Sequence, residues 1–284
     1  MGGRSPYRAW RGEKMASQRA RRPKLGKLAS CAALRKAVEE QLKARWSPQQ
    51  IASWLRKEYP KNPSMQVSHE TIYQSLYVQG RGALRKELTH YLRTRRARRR
   101  VRPRAGLRSR IKDMVMISDR PPEVEDRAVP GHWEGDLIFG KRCASAIGTL
   151  VERHSRYVML LHLPHGKSAE DVRRALTKQI KTLPHQLRRS LTWDQGTEMS
   201  EHVQFTVDTG VKVFFCDPHS PWQRGSNENT NGLLRQYFPK NEDLSRYTQA
   251  DLNAVARELN GRPRQTLGWM KPCETLARAV ATTR

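Results

Sequence analysis

Residues 93–112, RTRRARRRVRPRAGLRSRIK, carry eleven Lys and Arg and no acid. A run of one charge sign this dense repels itself and cannot close a hydrophobic core, so it divides the chain into two parts. The charge divides there as well. Residues 1–112 hold 30 basic and 6 acidic side chains, a net of +24, and the rest of the chain adds only +3 to the total of +27. The first part is suited to a polyanion, because neutralising phosphates releases counterions whatever the base sequence. The second has the composition of an ordinary globular domain. No run approaches ~18 apolar residues, so no membrane span is expected. The basic N-terminus lacks the apolar segment of a secretory signal. Cys31, Cys143, Cys216 and Cys273 are far apart and form no C-x-x-C pair, which argues against a zinc knuckle and for reduced thiols in a cytoplasm. No histidine pair has zinc-protease spacing and no P-loop is present, so no nucleotide cofactor is expected.

Residues 1–30 read as a basic, poorly packed arm or the torn edge of a larger unit. Over 31–92 the pattern is helical. Leu34, Val38 and Leu42 recur every four residues. Ser47, Pro48 and Gln50 make an N-cap, a first helical proline and a capping box ahead of Ile51, Trp54 and Leu55. Ser68 caps a further helix with Ile72, Leu76 and Tyr77 periodic. Two short capped helices fit a helix-turn-helix-like DNA-binding region, whose recognition helix presents His69, Thr71 and Gln74 to DNA. An ordinary small helical bundle has the same pattern, and the surrounding charge favours DNA. Residues 93–120 then form an Arg-rich linker that tracks the nucleic-acid backbone through Arg95, Arg96, Arg98, Arg99 and Arg100.

Beyond residue 120 the elements alternate. GHWEGDLIFG (131–140) reads as a strand closed by glycines. Two β-rich runs joined as a hairpin follow, then helix, strand, helix, strand, helix and a last helix over 249–259. The expected class is α/β: a mixed five-stranded sheet with helices on both faces, the order of a ribonuclease-H-like fold. Asp136 stands among apolar neighbours on the first strand, where an ionised carboxylate needs a basic partner, water or a metal. Asp194 ends the fourth strand, and Glu228 lies in the first turn of a later helix. Neighbouring first and fourth strands would place the two aspartates in one crevice. Hard oxygen ligands without histidine or thiolate suit Mg²⁺, and two such ions ~3.5–4 Å apart assist phosphodiester displacement. Each acid also has a plainer reading, Asp194 as a turn residue and Glu228 as a complement to a helix N-terminus. Glu134 shares the strand face of Asp136 and is a possible extra acid. His219 and Trp222 lie in the loop before Glu228, the first a possible aid near the site and the second a surface for base stacking. Trp193 reads as core.

The blocks GHWEGDLI, LTWDQGTEM and FCDPHSPWQRGSNENTNGLLRQYFP resemble the signature motifs of DDE transposases of bacterial insertion sequences, most closely the IS-thirty (IS30) family. The likeness extends through WSPQQIASWL, VSHETIYQSLY, VEDRAVPGHWEGD and ELNGRPRQTLGW, nearly the whole chain. It implies a catalytic and metal-binding triad of Asp136, Asp194 and Glu228 in an integrase-type domain over 121–284. Arg235, seven positions after the glutamate, would contact DNA phosphate. The activity implied is hydrolysis at insertion-sequence ends followed by attack of the freed 3′-hydroxyl on a second DNA phosphate. The implied cofactor is two Mg²⁺ ions, with Mn²⁺ able to substitute. The implied partner is double-stranded DNA, bound by a homo-oligomer in the bacterial cytoplasm at the nucleoid. Family members usually carry a further N-terminal helix-turn-helix segment, so the sequence is expected to be N-terminally truncated. A truncated chain that only occupies DNA as a competitor or repressor is the alternative, and a non-specific nuclease is a third reading.

Overall fold

The structure is a computed structural model that describes residues 9–20, 26–77, 111–125, 127–218 and 220–282. The chain forms two compact units, residues 1–92 and 93–284.

The first unit is helical, with α1 (Ala9–Ala20), α2 (Lys27–Ser30), α3 (Ala32–Lys43), α4 (Pro48–Glu58) and α5 (His69–Tyr77). Leu34, Val38 and Leu42 of α3 meet Ile51 and Leu55 of α4 and Ile72 and Leu76 of α5 in one apolar cluster. The capping box forms as expected, with the Ser47 amide donating to Gln50 Oε1 at 2.8 Å and the Gln50 amide donating to Ser47 Oγ at 3.3 Å. The reading of residues 1–30 as a poorly packed arm needs correction at Leu28. Residues 9–20 are helical, and Leu28 is buried in the cluster, because the single turn α2 folds back on α3. The connection between α4 and α5 also differs from a tight helix-turn-helix. It runs from residue 59 to 68 and contains a 3₁₀ turn, Pro63–Met65, where the DNA-binding motif uses three or four residues. Met65 and Val67 in this connection are themselves buried, which holds it in place.

The second unit is built on β1 (His132–Phe139), β2 (Ala146–Glu152), β3 (Val158–His162), β4 (Ser190–Trp193) and β5 (Lys212–Phe215). Their order across the sheet is β3-β2-β1-β4-β5. β1, β2 and β3 pair antiparallel, and β1, β4 and β5 pair parallel, which is the ribonuclease-H-like arrangement expected. The helices are α6 (Ala169–Lys181), α7 (His202–Thr209), α8 (Gly225–Leu234), α9 (Gln249–Asn260) and α10 (Pro272–Thr282). One sheet face buries Trp133, Leu137, Leu191 and Trp193 with Val172 and Leu176 of α6 and Phe205 of α7. The other buries Ile138, Ile147 and Leu160 with Leu234 of α8 and Leu252 and Leu259 of α9.

Two boundaries shift. Residues 111–120, read as the end of the linker, belong to this unit. The Phe215 amide donates to Val115 O at 2.8 Å, and Ile111 and Ile117 are buried. The free edge of β5 supplies the backbone partner, and the apolar residues after the arginine run supply the packing. The tail after α9, read without a helix, contains α10. Leu276 and Val280, four residues apart, pack on the core, and Pro272 at the helix start fits the first turn. Arg95, Arg96, Arg98, Arg99 and Arg100 lie outside the described residues. No described helix is long and apolar enough to cross a membrane.

Candidate active site

Strand β1 sorts its side chains by alternation. Trp133 and Leu137 enter the α6–α7 face, while Ile138 enters the α8–α9 face. Glu134 and Asp136 share the face of Ile138 and hydrogen-bond to α8 residues. Gly135, between the two acids, is fixed by crowding, since a Cβ there would lie 2.0 Å from a ring carbon of Trp193. β1 and β4 run parallel with His132, Trp133 and Glu134 opposite Ser190, Leu191 and Thr192. Continued two residues along both chains, this register sets Asp136 level with Asp194. Asp194 alternates with buried Trp193, so it belongs to the α8 side.

One cation sits between these carboxylates. Arg224 ends a 3₁₀ turn, Pro221–Arg224, that leads into α8. Its Nη1 is 3.4 Å from Asp136 Oδ1, its Nη2 is 3.3 Å from Asp194 Oδ2, and Nη1 also donates to Gly135 O at 2.7 Å. Burial pushes the Asp136 carboxyl above the usual carboxylate range and the Asp194 charge adds to this, while Arg224 and the Leu137 amide oppose it. Burial works against the Arg224 charge too, but the two aspartates more than offset it and hold its pKa above the ordinary value. Asp194 Oδ1 also accepts from the Gly196 amide at 3.0 Å, so the turn role and the pairing coexist.

Glu228 is exposed, in the first turn of α8. It belongs to a stripe at helical spacing, Arg224, Glu228, Asn231 and Arg235. Asn231 Nδ2 donates to Asp136 Oδ2 at 2.9 Å. Arg235 Nη1 donates to Phe139 O at 3.0 Å and Phe238 O at 3.3 Å. Residues before and after Glu228 on this stripe therefore touch β1. Among the described residues no three His, Cys, Asp or Glu side chains lie close enough together to hold a metal. The structure brings Asp136 and Asp194 together and leaves Glu228 on the rim.

Glu134 is a different kind of acid. It is fully buried, 2.6 Å from Arg153 Nη1, and its other oxygen accepts from the Asn227 amide at 2.9 Å. Asn227 Nδ2 donates to Glu134 O at 2.9 Å, and Asn227 Oδ1 accepts from Thr149 Oγ1 at 3.0 Å. These bonds fasten the start of α8 to β1 and β2, and so fix the level of Glu228 against Asp136.

The donor set fits a hard divalent cation. Asp136 and Asp194 offer carboxylate oxygens, and Asn231 Oδ1 beside them is buried without a hydrogen-bond partner. Burial pushes the nearby Cys216 thiol up to about 11. Trp193 is buried as expected, and Trp222 is 72% exposed on the turn before Arg224. His219 lies outside the described residues. On α5, Gln74 is exposed, His69 is half-buried beside Glu70, and the Thr71 hydroxyl is held 2.9 Å from Ser68 Oγ in the cap. Reading the sequence missed Arg224, Asn227 and Asn231. Their signal is spacing, with Asn227 one before and Asn231 three after Glu228 on the same helix and Arg224 four before it at the helix start.

The family described as Integrase core domain matches residues 126–221, which cover the sheet and both aspartates but stop short of Arg224 and Glu228. The chain is 49% identical over 281 residues to the transposase for insertion sequence element IS1086 of Cupriavidus metallidurans, spanning 98% of this chain and 82% of that protein. It is 47% identical over 285 residues to transposase InsI for insertion sequence element IS30C of Escherichia coli, spanning 99% and 74%. It is 36% identical over 255 residues to the transposase for insertion sequence element IS4351 of Bacteroides fragilis, spanning 87% and 74%. A five-stranded sheet that sets two aspartates level across neighbouring parallel strands, with relatives of this kind along almost its whole length, places the chain in the IS30 family of insertion-sequence transposases.

Proposed function

We propose that Asp136, Asp194 and Glu228 are the catalytic carboxylates of this DNA transposase, a polynucleotidyl transferase. The observation that supports this is the Arg224 side chain, 3.4 Å from Asp136 and 3.3 Å from Asp194, which puts the two aspartates beside one another as the parallel pairing of β1 and β4 leads one to expect. Integrase-core transposases use divalent metal ions, and the oxygen donors here favour Mg²⁺, with Mn²⁺ as a substitute. When bound, such ions polarise the phosphoryl group and stabilise the entering and leaving oxygens of the displacement. Asp136 and Asp194 would hold them from the sheet side, and Glu228 would do so from α8. Asn231 orients Asp136 through its 2.9 Å hydrogen bond. Arg235, tied to β1 by one nitrogen, offers the rest of its guanidinium to a DNA phosphate.

The partners are double-stranded insertion-sequence ends and target DNA, bound by a homo-oligomer. The helical unit and the arginine run 93–112 contribute sequence-independent affinity, and Gln74, His69 and Thr71 on α5 contact the duplex. Trp222, large, aromatic and exposed on the turn before Arg224, stacks on an unpaired base at the cut end, an interaction worth about 1–3 kcal/mol by alanine substitution. The reading of a silent competitor has no observation in its favour.

Asp194→Asn and Glu228→Gln test the assignment in an end-cleavage and strand-transfer assay with Mg²⁺, scored beside DNA binding. Loss of both reactions with binding retained is expected. Undiminished strand transfer in either variant overturns that residue's role.

A further inference from the structure

Arg224 is buried, and its fork spans the two aspartates that the register brings level. It is the described cation that contacts both of them. Its charge reduces the pair from two negative charges to one, and its nitrogens stand against the Oδ1 of Asp136 and the Oδ2 of Asp194. A divalent ion taking those oxygens would meet a positive charge at the same place, and like charges in a partly desolvated site repel strongly. The side chain hangs from the junction of a 3₁₀ turn and α8 rather than from within the helix.

We infer that Arg224 is the site's own place-holding cation: it bridges Asp136 and Asp194 in the metal-free protein, and a divalent ion enters only by displacing it. This rests on the reading of Asp136 and Asp194 as metal ligands. Arg224 is thus a positioning residue that keeps two like charges at one level before the cofactor arrives, and it sets the metal concentration at which the enzyme switches on. A fork of this shape also suits a phosphate once released.

The test is calorimetric titration of Mn²⁺ alone into the full metal-free chain and into Arg224→Gln, Arg224→Lys and Asp136→Asn. Removing the competitor is expected to tighten Mn²⁺ binding by about tenfold in Arg224→Gln, equivalent to roughly 1.4 kcal/mol. Arg224→Lys keeps the charge but loses the bridging fork, and is expected to tighten binding by a smaller factor. A role confined to structural support would weaken binding in both. Unchanged or weaker binding in Arg224→Gln overturns the inference. So does tighter binding in Gln with no change in Lys, which would mean remote repulsion without displacement. If the Gln variant does not fold, the Lys variant decides alone. Asp136→Asn separates the two readings. If it abolishes Mn²⁺ binding, the metal site stands whatever Arg224 does. If it binds as the parent does, the metal-site reading has failed and this inference with it.

Discussion

Two carboxylates on one face of β1, two residues apart, have opposite surroundings. At the inner end Glu134 is fully buried, paired with Arg153 at 2.6 Å and bonded to the Asn227 amide. At the outer end Asp136 is half-buried, sees Arg224 only at 3.4 Å, and shares that cation with Asp194. Burial is deeper at Glu134, yet its charge is matched by one dedicated partner. Asp136 is left under-compensated beside a second like charge. The first arrangement suits an acid that holds structure, and the second suits an acid that waits for a cation. Sequence position alone does not distinguish them, because both sit on the same strand face with similar neighbours.

Breaking the inner end has the largest expected effect on stability. Glu134→Ala strands the buried Arg153 guanidinium and frees the start of α8, and loss of one partner of a buried pair costs about 3–5 kcal/mol. Denaturant unfolding checks this, and a loss under ~1 kcal/mol would mean that Glu134 is no anchor. Glu134→Gln retains an acceptor for the Asn227 amide and is expected to lose less.

The inner end also carries a pH signature. His132, at the start of β1, is 4% exposed and shares a 2.7 Å hydrogen bond with Ser190 Oγ. Burial, with Arg189, Arg153 and Arg120 nearby, depresses its pKa from 6.5 to about 4. The folded state therefore prefers the neutral ring. Its contribution is fully present above pH 6.5 and is lost as pH falls toward 4, on the order of 3 kcal/mol in all. Unfolding free energy measured between pH 7 and 4 should fall along this window, and His132→Asn should flatten the slope. An equal slope in the variant removes His132 as the cause.

The outer end should respond weakly in stability. Asn231→Ala removes one hydrogen bond to Asp136 together with a buried, unpartnered oxygen. The two changes oppose each other, so a net change within about 1 kcal/mol is expected. A loss as large as that of Glu134→Ala would erase the contrast between the two ends.

Much of this was legible in the sequence for physical reasons. The strand closed by glycines over 131–140, the capping box at Ser47 and the four-residue recurrence of Leu34, Val38 and Leu42 each reflect a local rule, and each formed. Asp136 stood out because a charge among apolar neighbours demands an explanation. What stayed hidden was long-range. Arg153 lies 19 residues from Glu134, and Arg224 lies 88 from Asp136, so nothing local links either pair. The helix α10 was missed because most of its apolar residues are small, and the larger ones, Leu276 and Val280, find their partners only on the assembled core. The arm over 1–30 was misread because one leucine, Leu28, suffices to dock a single turn.

The most direct test of the contrast is Asp136→Asn, measured for unfolding free energy, DNA binding and Mg²⁺-dependent end cleavage in one preparation. The account predicts stability within about 1 kcal/mol of the parent, binding retained, and cleavage reduced at least ~10³-fold, equivalent to about 4 kcal/mol of transition-state stabilisation. A variant that still cleaves at the parental rate, or one that fails only because it unfolds as Glu134→Ala does, would contradict it.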